Sequence, residues 1–77
     1  MDLKQILTDI ARAIVDTPDA VNVVENVDGD NVELILTVAE DDTGMVIGRH
    51  GRIAKAIRQI MKSAAATCGK RVTVEIK

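Results

Sequence analysis

The chain has 77 residues, 47% of them hydrophobic, with no Phe, Tyr or Trp and a net charge of −2. This length supports one small domain with an aliphatic core, and it disfavours a buried multi-step active site. The absence of aromatic rings also excludes the base-stacking platforms that many single-strand binders use.

The charge is divided unevenly along the chain. Residues 1–42 carry two basic and eleven acidic side chains, a net charge of −9, whereas residues 43–77 carry eight basic and one acidic, a net charge of +7. Between Gly44 and Arg71 there are seven basic residues, one histidine and no acid. Such an asymmetry directs a polyanion to one part of a molecule even when the total charge is slightly negative.

The N-terminal sequence and the cysteine content both favour the cytoplasm. Residues 1–16 carry acids and lack the charged start, apolar centre and cleavage site of a signal peptide. No apolar run reaches the roughly 20 residues needed to span a bilayer, and the single Cys68 cannot form an intramolecular disulfide. We therefore expect a cytoplasmic protein with no membrane contact.

The first half of the chain predicts a helix and then a hairpin. Apolar residues recur at helical spacing from Leu3 to Ile14 behind an N-cap at Asp2, and the pattern ends before Pro18. Residues 21–27 and 32–38 are strand-like, and they are joined by an Asp-Gly turn. Ile35 alone interrupts the polar face of the second strand.

The second half predicts a short helix, a glycine loop, a long helix and a final strand. Residues 45–47 form about one turn, and the acids of residues 40–42 are interpreted as capping it rather than as a metal site. The long helix begins at Gly51 or Arg52 and ends at Cys68, and residues 71–76 form the strand. The predicted core stripe of the long helix consists of Ile53, Ile57, Ile60, Ala64 and Cys68.

The loop between the two helices has the composition of a phosphate-binding site. Two helices joined by a Gly-x-x-Gly turn can direct backbone N–H groups and positive dipole ends into one small space. Gly48 and Gly51 would let a sugar-phosphate backbone approach without meeting a Cβ, and Arg49, Arg52 and Lys55 add positive charge.

The segment Val46–Gly51, Val-Ile-Gly-Arg-His-Gly, resembles the Ile-Gly-x-x-Gly signature of KH domains, whose loop clamps about four nucleotides of single-stranded RNA or DNA. The element order resembles the type II arrangement of that α+β fold: α-β-β-α-α-β, with a three-stranded sheet and the helices packed on one face. The length, the acidic first helix and the ending Val-Thr-Val-Glu-Ile-Lys resemble the small bacterial single-KH proteins of the KhpA family. The resemblance extends over residues 1–77 as a single KH domain.

The resemblance implies an RNA-binding cleft that combines the glycine loop with an apolar floor. The floor would come from the short helix and a neighbouring strand, and the sequence leaves open whether His50 contacts RNA or is only a solvated neighbour. The predicted RNA-binding residues are Ile35, Val46, Ile47, Gly48, Arg49, His50, Gly51, Arg52 and Lys55.

The apolar arc of the long helix is wider than one sheet would cover, which suggests a dimer or partner interface. The predicted interface residues are Ala54, Arg58, Met61 and Ala65. From the residues alone, it is as plausible that they rim the intramolecular core. The KhpA resemblance implies a homodimer, or a heterodimer with a larger KH-containing protein of the KhpB/Jag type, and a role as an RNA chaperone or post-transcriptional regulator in cell-envelope and cell-shape control.

Two other functions are compatible with the sequence. The chain could be an interaction subunit whose partner binds the RNA, or the glycine turn and long helix could read duplex DNA as a helix-turn-helix. An enzyme is not expected, because no nucleophile-base pair can be assembled. With one histidine and one cysteine, we also expect no metal and no cofactor.

Overall fold

The computed structural model of the protein describes residues 2–77. Within this range the secondary structure follows the predicted α-β-β-α-α-β order, and the α+β class is confirmed. The elements are α1 (Leu3–Ile14), β1 (Asn22–Asp28), β2 (Asn31–Thr37), α2 (Thr43–Ile47), α3 (Arg52–Thr67) and β3 (Arg71–Ile76), with 3-10 turns at Pro18–Ala20, Glu40–Asp42 and Arg49–Gly51.

The first helix begins and ends where the sequence signals predict. The side chain of Asp2 accepts a hydrogen bond of 3.1 Å from the backbone N–H of Gln5, which satisfies one of the free donors of the first turn. The helix buries Leu3, Leu7 and Ala11, spaced four residues apart on one face. The amphipathic pattern therefore fixes which side of α1 meets the rest of the fold.

The sheet is mixed, with β2 in the centre. β1 pairs antiparallel to β2 through a tight turn at Gly29 and Asp30, and β3 pairs parallel to β2, with Leu34 opposite Val74. The parallel pairing requires a crossover, which α2, the glycine loop and α3 provide. Because the strand order is β1-β2-β3, β3 is an edge strand, and the chain reaches it from α3.

The helices pack on one face of the sheet, as predicted. Leu34 and Leu36 of β2 are fully buried on that face, and a fully buried leucine stabilises a fold by about 1.5–3 kcal/mol. Successive side chains of a strand point to opposite faces, so Ile35 points away from the helices. Ile35 lies opposite Val24 of β1, which is 44% exposed, so this second face of the sheet is open.

The buried stripe of α3 differs from the predicted one. The helix buries Ala54, Ile57, Met61 and Ala65. Ile53 and Ile60 are 37% and 49% exposed, so their assignment to the core is wrong. The predicted and the observed stripe both have helical spacing through Ile57, and the sequence pattern favoured the one with the larger isoleucines. The buried stripe carries alanines because small side chains let α3 pack closely on its neighbours.

The start of α2 is held by a buried aspartate. Asp42 is 3% exposed and accepts a hydrogen bond of 2.9 Å at Oδ2 from the backbone N–H of Thr17. Its side chain forms no cap on α2, contrary to the capping interpretation of residues 40–42. The 3-10 turn continues directly into α2, so Asp42 has helical backbone angles instead of the extended ones of an N-cap. Asp42 instead joins α2 to the segment that follows α1.

Candidate nucleic-acid interface

The loop of residues 48–51 begins with a glycine in a conformation that other residues rarely adopt. Gly48 ends α2 with φ 75° and ψ 173°, a region of backbone space occupied almost only by glycine. A Cβ at this position would lie 2.6 Å from Cγ1 and 2.9 Å from Cβ of Ile53. Gly48 is therefore required by its backbone angles and by its contact with the first turn of α3.

The second half of the loop is left-handed but open. His50 has φ 58° and ψ 25°, and Gly51 has φ 72° and ψ 15°. A Cβ at Gly51 would meet no atom of the protein within 4 Å. The chain thus leaves free space beside Gly51, where a ligand could approach the backbone closely.

Backbone N–H groups at the start of α3 remain available to a ligand. The amide of Gly51 donates to the carbonyl of Gly48 at 3.2 Å, and the amide of Arg52 donates to Arg49. No side chain among residues 2–77 caps the first turn of α3. Because the first N–H groups of a helix have no partner inside the helix, those of α3 beyond Arg52 can donate hydrogen bonds to an anion.

Basic side chains surround this helix start. Arg49, His50, Arg52 and Lys55 are all exposed, so each of these side chains is accessible to a ligand. The charges of Arg49, Arg52 and Lys55 add to the positive end of the α3 dipole. The loop thus brings together N–H donors, positive charge and open space, which suits a phosphate group.

The predicted apolar floor of the cleft is wrong at two of its three residues. Val46 is fully buried and belongs to the hydrophobic core, so its side chain cannot line a binding surface. Ile35 lies on the face of the sheet away from the helices. Only Ile47, 39% exposed and adjacent to the loop, is accessible as predicted. The prediction failed because an apolar residue in a short helix can serve the core as readily as a site.

The predicted interface on α3 is also wrong at three residues. Ala54, Met61 and Ala65 are 4%, 0% and 1% exposed inside the monomer, so they cannot form a surface. Arg58 is exposed, but its Nε donates to the carbonyl of Val74 on β3 at 3.3 Å. The large apolar side chains that α3 exposes are Ile53 and Ile60.

The exposed side chains of α3 form two flanks on either side of the buried stripe. At 3.6 residues per turn, Ile53 and Ile60 lie within about 20° of each other, and we name them the apolar flank. Lys55, Arg58 and Lys62 lie within about 60° of each other on the opposite side, and we name them the basic flank. The basic flank faces β3, as the bond from Arg58 to Val74 demonstrates.

A groove between the basic flank and β3 was missed by the sequence analysis. It is lined by Arg58, Lys62, Val72, Thr73 and Val74. The amides of Arg71 and Lys77 donate to carbonyls of residues 30 and 36 at 2.9 Å, so the odd residues of β3 turn their backbone groups toward the sheet. Those of Val72 and Val74 face the groove. The signal in the sequence was the helical spacing of Lys55, Arg58 and Lys62, which places three basic side chains on one side of the helix that precedes β3.

Metal binding and membrane insertion have no structural support in the part of the chain that the structure describes. Residues 2–77 contain no cluster of three or more His, Cys, Asp or Glu side chains arranged to hold a metal ion. None of the helices described is long and apolar enough to cross a bilayer.

The order of the elements and the loop of residues 48–51 define the class of the protein as a KH domain of the type II arrangement. The KhpA/KhpB KH-domain family model matches residues 4–76. The chain belongs to this family, which agrees with the expectation that it is not an enzyme.

Relatives within the family match over nearly their whole length. The RNA-binding protein KhpA of Clostridium acetobutylicum is 51% identical over 74 residues, covering 96% of this chain and 99% of the relative. KhpA of Bacillus subtilis is 38% identical over 74 residues, covering 96% of this chain and 91% of the relative.

Solved structures of Era share the fold. Era in complex with MgGDPNP and nucleotides 1506–1542 of 16S ribosomal RNA matches with a TM-score of 0.72 and 20% identity. A variant of Aquifex aeolicus Era bound to GDP and aluminium fluoride matches with a TM-score of 0.69. The matches cover 96% of this chain but only 28% and 29% of the Era chains, so they concern one part of a larger protein.

Proposed function

We propose that the protein binds single-stranded RNA, with the loop of residues 48–51 holding the phosphate backbone. The observation that carries this proposal is the open space beside Gly51 next to uncapped N–H groups at the start of α3. The relatives described as RNA-binding proteins support the same ligand. In this mechanism phosphate oxygens accept hydrogen bonds from the N–H groups, and Arg49 and Arg52 neutralise the charge.

The bases lie in the groove between the basic flank and β3. Lys55, Arg58 and Lys62 follow the strand from the loop, and the outward-facing backbone groups of Val72 and Val74 supply donors and acceptors for base edges, with the carbonyl of Val74 shared with Arg58. Apolar and backbone contacts replace stacking here, since the chain has no aromatic residue. A loop of this type holds about four nucleotides, so we expect weak binding with little sequence preference.

The proposed function includes a protein partner that binds to the apolar flank of α3. The apolar flank, Ile53 and Ile60, is exposed on the side of α3 opposite the groove, so a protein docked there would leave the RNA path free. We propose a second copy of the chain or a KhpB/Jag-like protein as that partner, in keeping with a family that joins KhpA and KhpB. Two linked loops would raise the avidity for RNA.

The cellular role follows from the resemblance to KhpA. We propose an RNA chaperone or post-transcriptional regulator that acts in the cytoplasm, in control of the cell envelope and cell shape. RNA binding at the loop and docking on the apolar flank are the two activities this role requires, and each can be removed by its own substitution.

The RNA proposal is tested by fluorescence anisotropy with a labelled single-stranded RNA in a series of salt concentrations. Arg49→Asp is compared with Lys4→Asp, which makes the same change in charge on the exposed side of α1. We expect the wild type to lose affinity with salt. Arg49→Asp should bind at least about tenfold more weakly and lower the slope of log K against log salt by about 1. Lys4→Asp should bind nearly as the wild type.

The competing functions predict different results. Equal binding by Arg49→Asp and Lys4→Asp would contradict phosphate recognition at the loop. Preference for duplex DNA over a single strand would favour the helix-turn-helix alternative. No binding by the wild type would favour the interaction subunit, whose docking is tested by sedimentation of Ile60→Lys. That substitution changes an exposed residue and should separate the subunits without unfolding them.

A further inference from the structure

The side chain of Ile53 fills the space beneath Gly48. A Cβ placed on Gly48 would lie 2.6, 2.9 and 3.0 Å from Cγ1, Cβ and Cδ1 of Ile53, so these atoms already pack against the glycine backbone. Ile53 belongs to the first turn of α3, and Gly48 is the first residue of the loop. The contact therefore joins the two ends of the loop through a side chain.

The loop has few other fixed points on its ligand side. Its backbone bonds are those from Gly48 to Gly44 at 2.8 Å, from Gly51 to Gly48 at 3.2 Å and from Arg52 to Arg49. His50 has left-handed backbone angles, which cost free energy for a residue with a side chain. A strained loop stays in one conformation only if its surroundings hold it there. Ile53 is the side chain that contacts the loop at Gly48.

The size and exposure of Ile53 fit this role better than a role in the core. Ile53 is 37% exposed and lies outside the buried stripe of α3. A β-branched side chain is stiff at χ1, so it gives Gly48 a rigid surface where a flexible side chain would yield. An alanine at this position would keep the helix but leave a gap under the loop.

We propose that Ile53 is a positioning residue for RNA binding, which holds Gly48 and the loop in the conformation that receives the phosphates. The proposal rests on the proposed function of the loop. Ile53 itself touches no RNA in this mechanism. It lowers the cost of ordering the loop when RNA binds, because the loop is already held before the ligand arrives.

The test compares Ile53→Ala with Val24→Ala, a control on β1 that lies outside both the loop and the apolar flank. Val24 is also exposed, at 44%, so both variants remove apolar atoms from a partly solvated position. We expect Ile53→Ala to bind single-stranded RNA about fivefold more weakly, and Val24→Ala to bind as the wild type, at protein concentrations where the RNA complex is one to one. Ile53→Val, which retains Cγ1, should restore most of the affinity.

Two further measurements separate positioning from loss of a phosphate contact. The slope of log K against log salt should stay unchanged in Ile53→Ala, since every basic residue remains. Amide hydrogen exchange without RNA should be faster at Gly51 and Arg52, whose amides are bonded within the loop, in Ile53→Ala than in Val24→Ala. Equal RNA affinity and equal exchange in the two alanine variants would overturn the proposal.

The proposed function and this inference can fail separately. If the wild type binds no RNA, the proposed function is wrong, and the exchange rates still decide whether Ile53 holds the loop. If the wild type binds RNA and both alanine variants weaken binding equally, RNA binding stands and the special role of Ile53 is refuted.

Discussion

Gly48 and Gly51 stand at the two ends of one loop and have nearly the same φ angle, 75° and 72°. Their surroundings differ completely. A Cβ at Gly48 would meet the side chain of Ile53 at 2.6 Å, whereas a Cβ at Gly51 would meet nothing within 4 Å. Packing against Ile53 therefore adds to the demand for glycine at position 48, whereas at position 51 only the left-handed backbone conformation favours glycine in the free protein, and access for a ligand is the proposed second reason. A Gly-x-x-Gly motif thus combines two separate physical demands.

The largest effect is expected for Gly48→Ala. The substitution places a methyl group against Ile53 and forces alanine into backbone angles that almost only glycine adopts. We expect the free energy of unfolding to fall by about 3 kcal/mol, measured by urea denaturation followed by circular dichroism. Rotating Ile53 would not relieve the clash fully, because its Cβ lies 2.9 Å from the new methyl group and is fixed to the backbone.

A double substitution identifies the source of this loss. In an Ile53→Ala background, Cγ1 and Cδ1 are absent, so Gly48→Ala should cost about 1 kcal/mol less than in the wild type. The remaining cost reports the backbone angles of residue 48. A Gly48→Ala variant as stable as the wild type would remove the distinction between the two glycines. If that variant does not fold, its cost is measured in the Ile53→Ala background.

The second effect, Gly51→Ala, is expected to be smaller in stability. The methyl group enters open space, so only the left-handed backbone conformation opposes it, at about 1 kcal/mol. Gly51→Asn should lose less, since asparagine tolerates this conformation better. Urea denaturation of the two variants measures both values, and a loss as large as that of Gly48→Ala would contradict the open environment of Gly51.

RNA affinity should reveal a role of Gly51 that stability does not. Gly51→Asn retains most of its stability but places a Cβ where the sugar-phosphate backbone is proposed to approach, so it should bind RNA more weakly than its stability loss explains. Anisotropy at a concentration where the variant is fully folded checks this. Binding equal to that of the wild type would show that the free space at Gly51 is not used by the ligand.

Much of the fold was predictable because its signals are local. The N-cap at Asp2, the alternation of β2 and the Asp-Gly turn each depend on residues close in sequence, and each was confirmed. Two nearly equivalent stripes of α3 pass through Ile57, and only contacts with distant elements decide which one is buried. The predicted interface failed for this reason.

The candidate site was predicted in part. The basic residues at and around the loop were predicted from a short motif, and the structure leaves their side chains exposed. Ile35 lies on the polar face of β2, as predicted, but its assignment to the floor of the cleft was wrong, because an isolated apolar residue on that face does not reveal which surface lies above it. The groove beside β3 was missed because it joins Arg58 to Val74, sixteen residues apart. The contact of Gly48 with Ile53 depends on three-dimensional distances that no composition rule supplies.

The smallest effect concerns His50, which lies between the two glycines with φ 58° and ψ 25°. If its conformation follows from the loop and not from contacts of the imidazole, a residue that favours left-handed angles should improve stability. We expect His50→Asn to raise the free energy of unfolding by about 0.3 kcal/mol, or the Tm by about 2 °C. Thermal unfolding followed by circular dichroism resolves a shift of this size.

A matched substitution in α3 shows whether the change in Tm of His50→Asn is caused by the backbone angles of residue 50. Gln59 is exposed in the middle of the helix, where asparagine is a poorer helix former, so Gln59→Asn should lower the Tm. Opposite signs at positions 50 and 59 would mean that backbone angles decide both results. A fall in Tm for His50→Asn would instead mean that the imidazole supports the loop. Position 50 would then resemble Gly48, where contacts within the fold set the residue, more than the open position of Gly51.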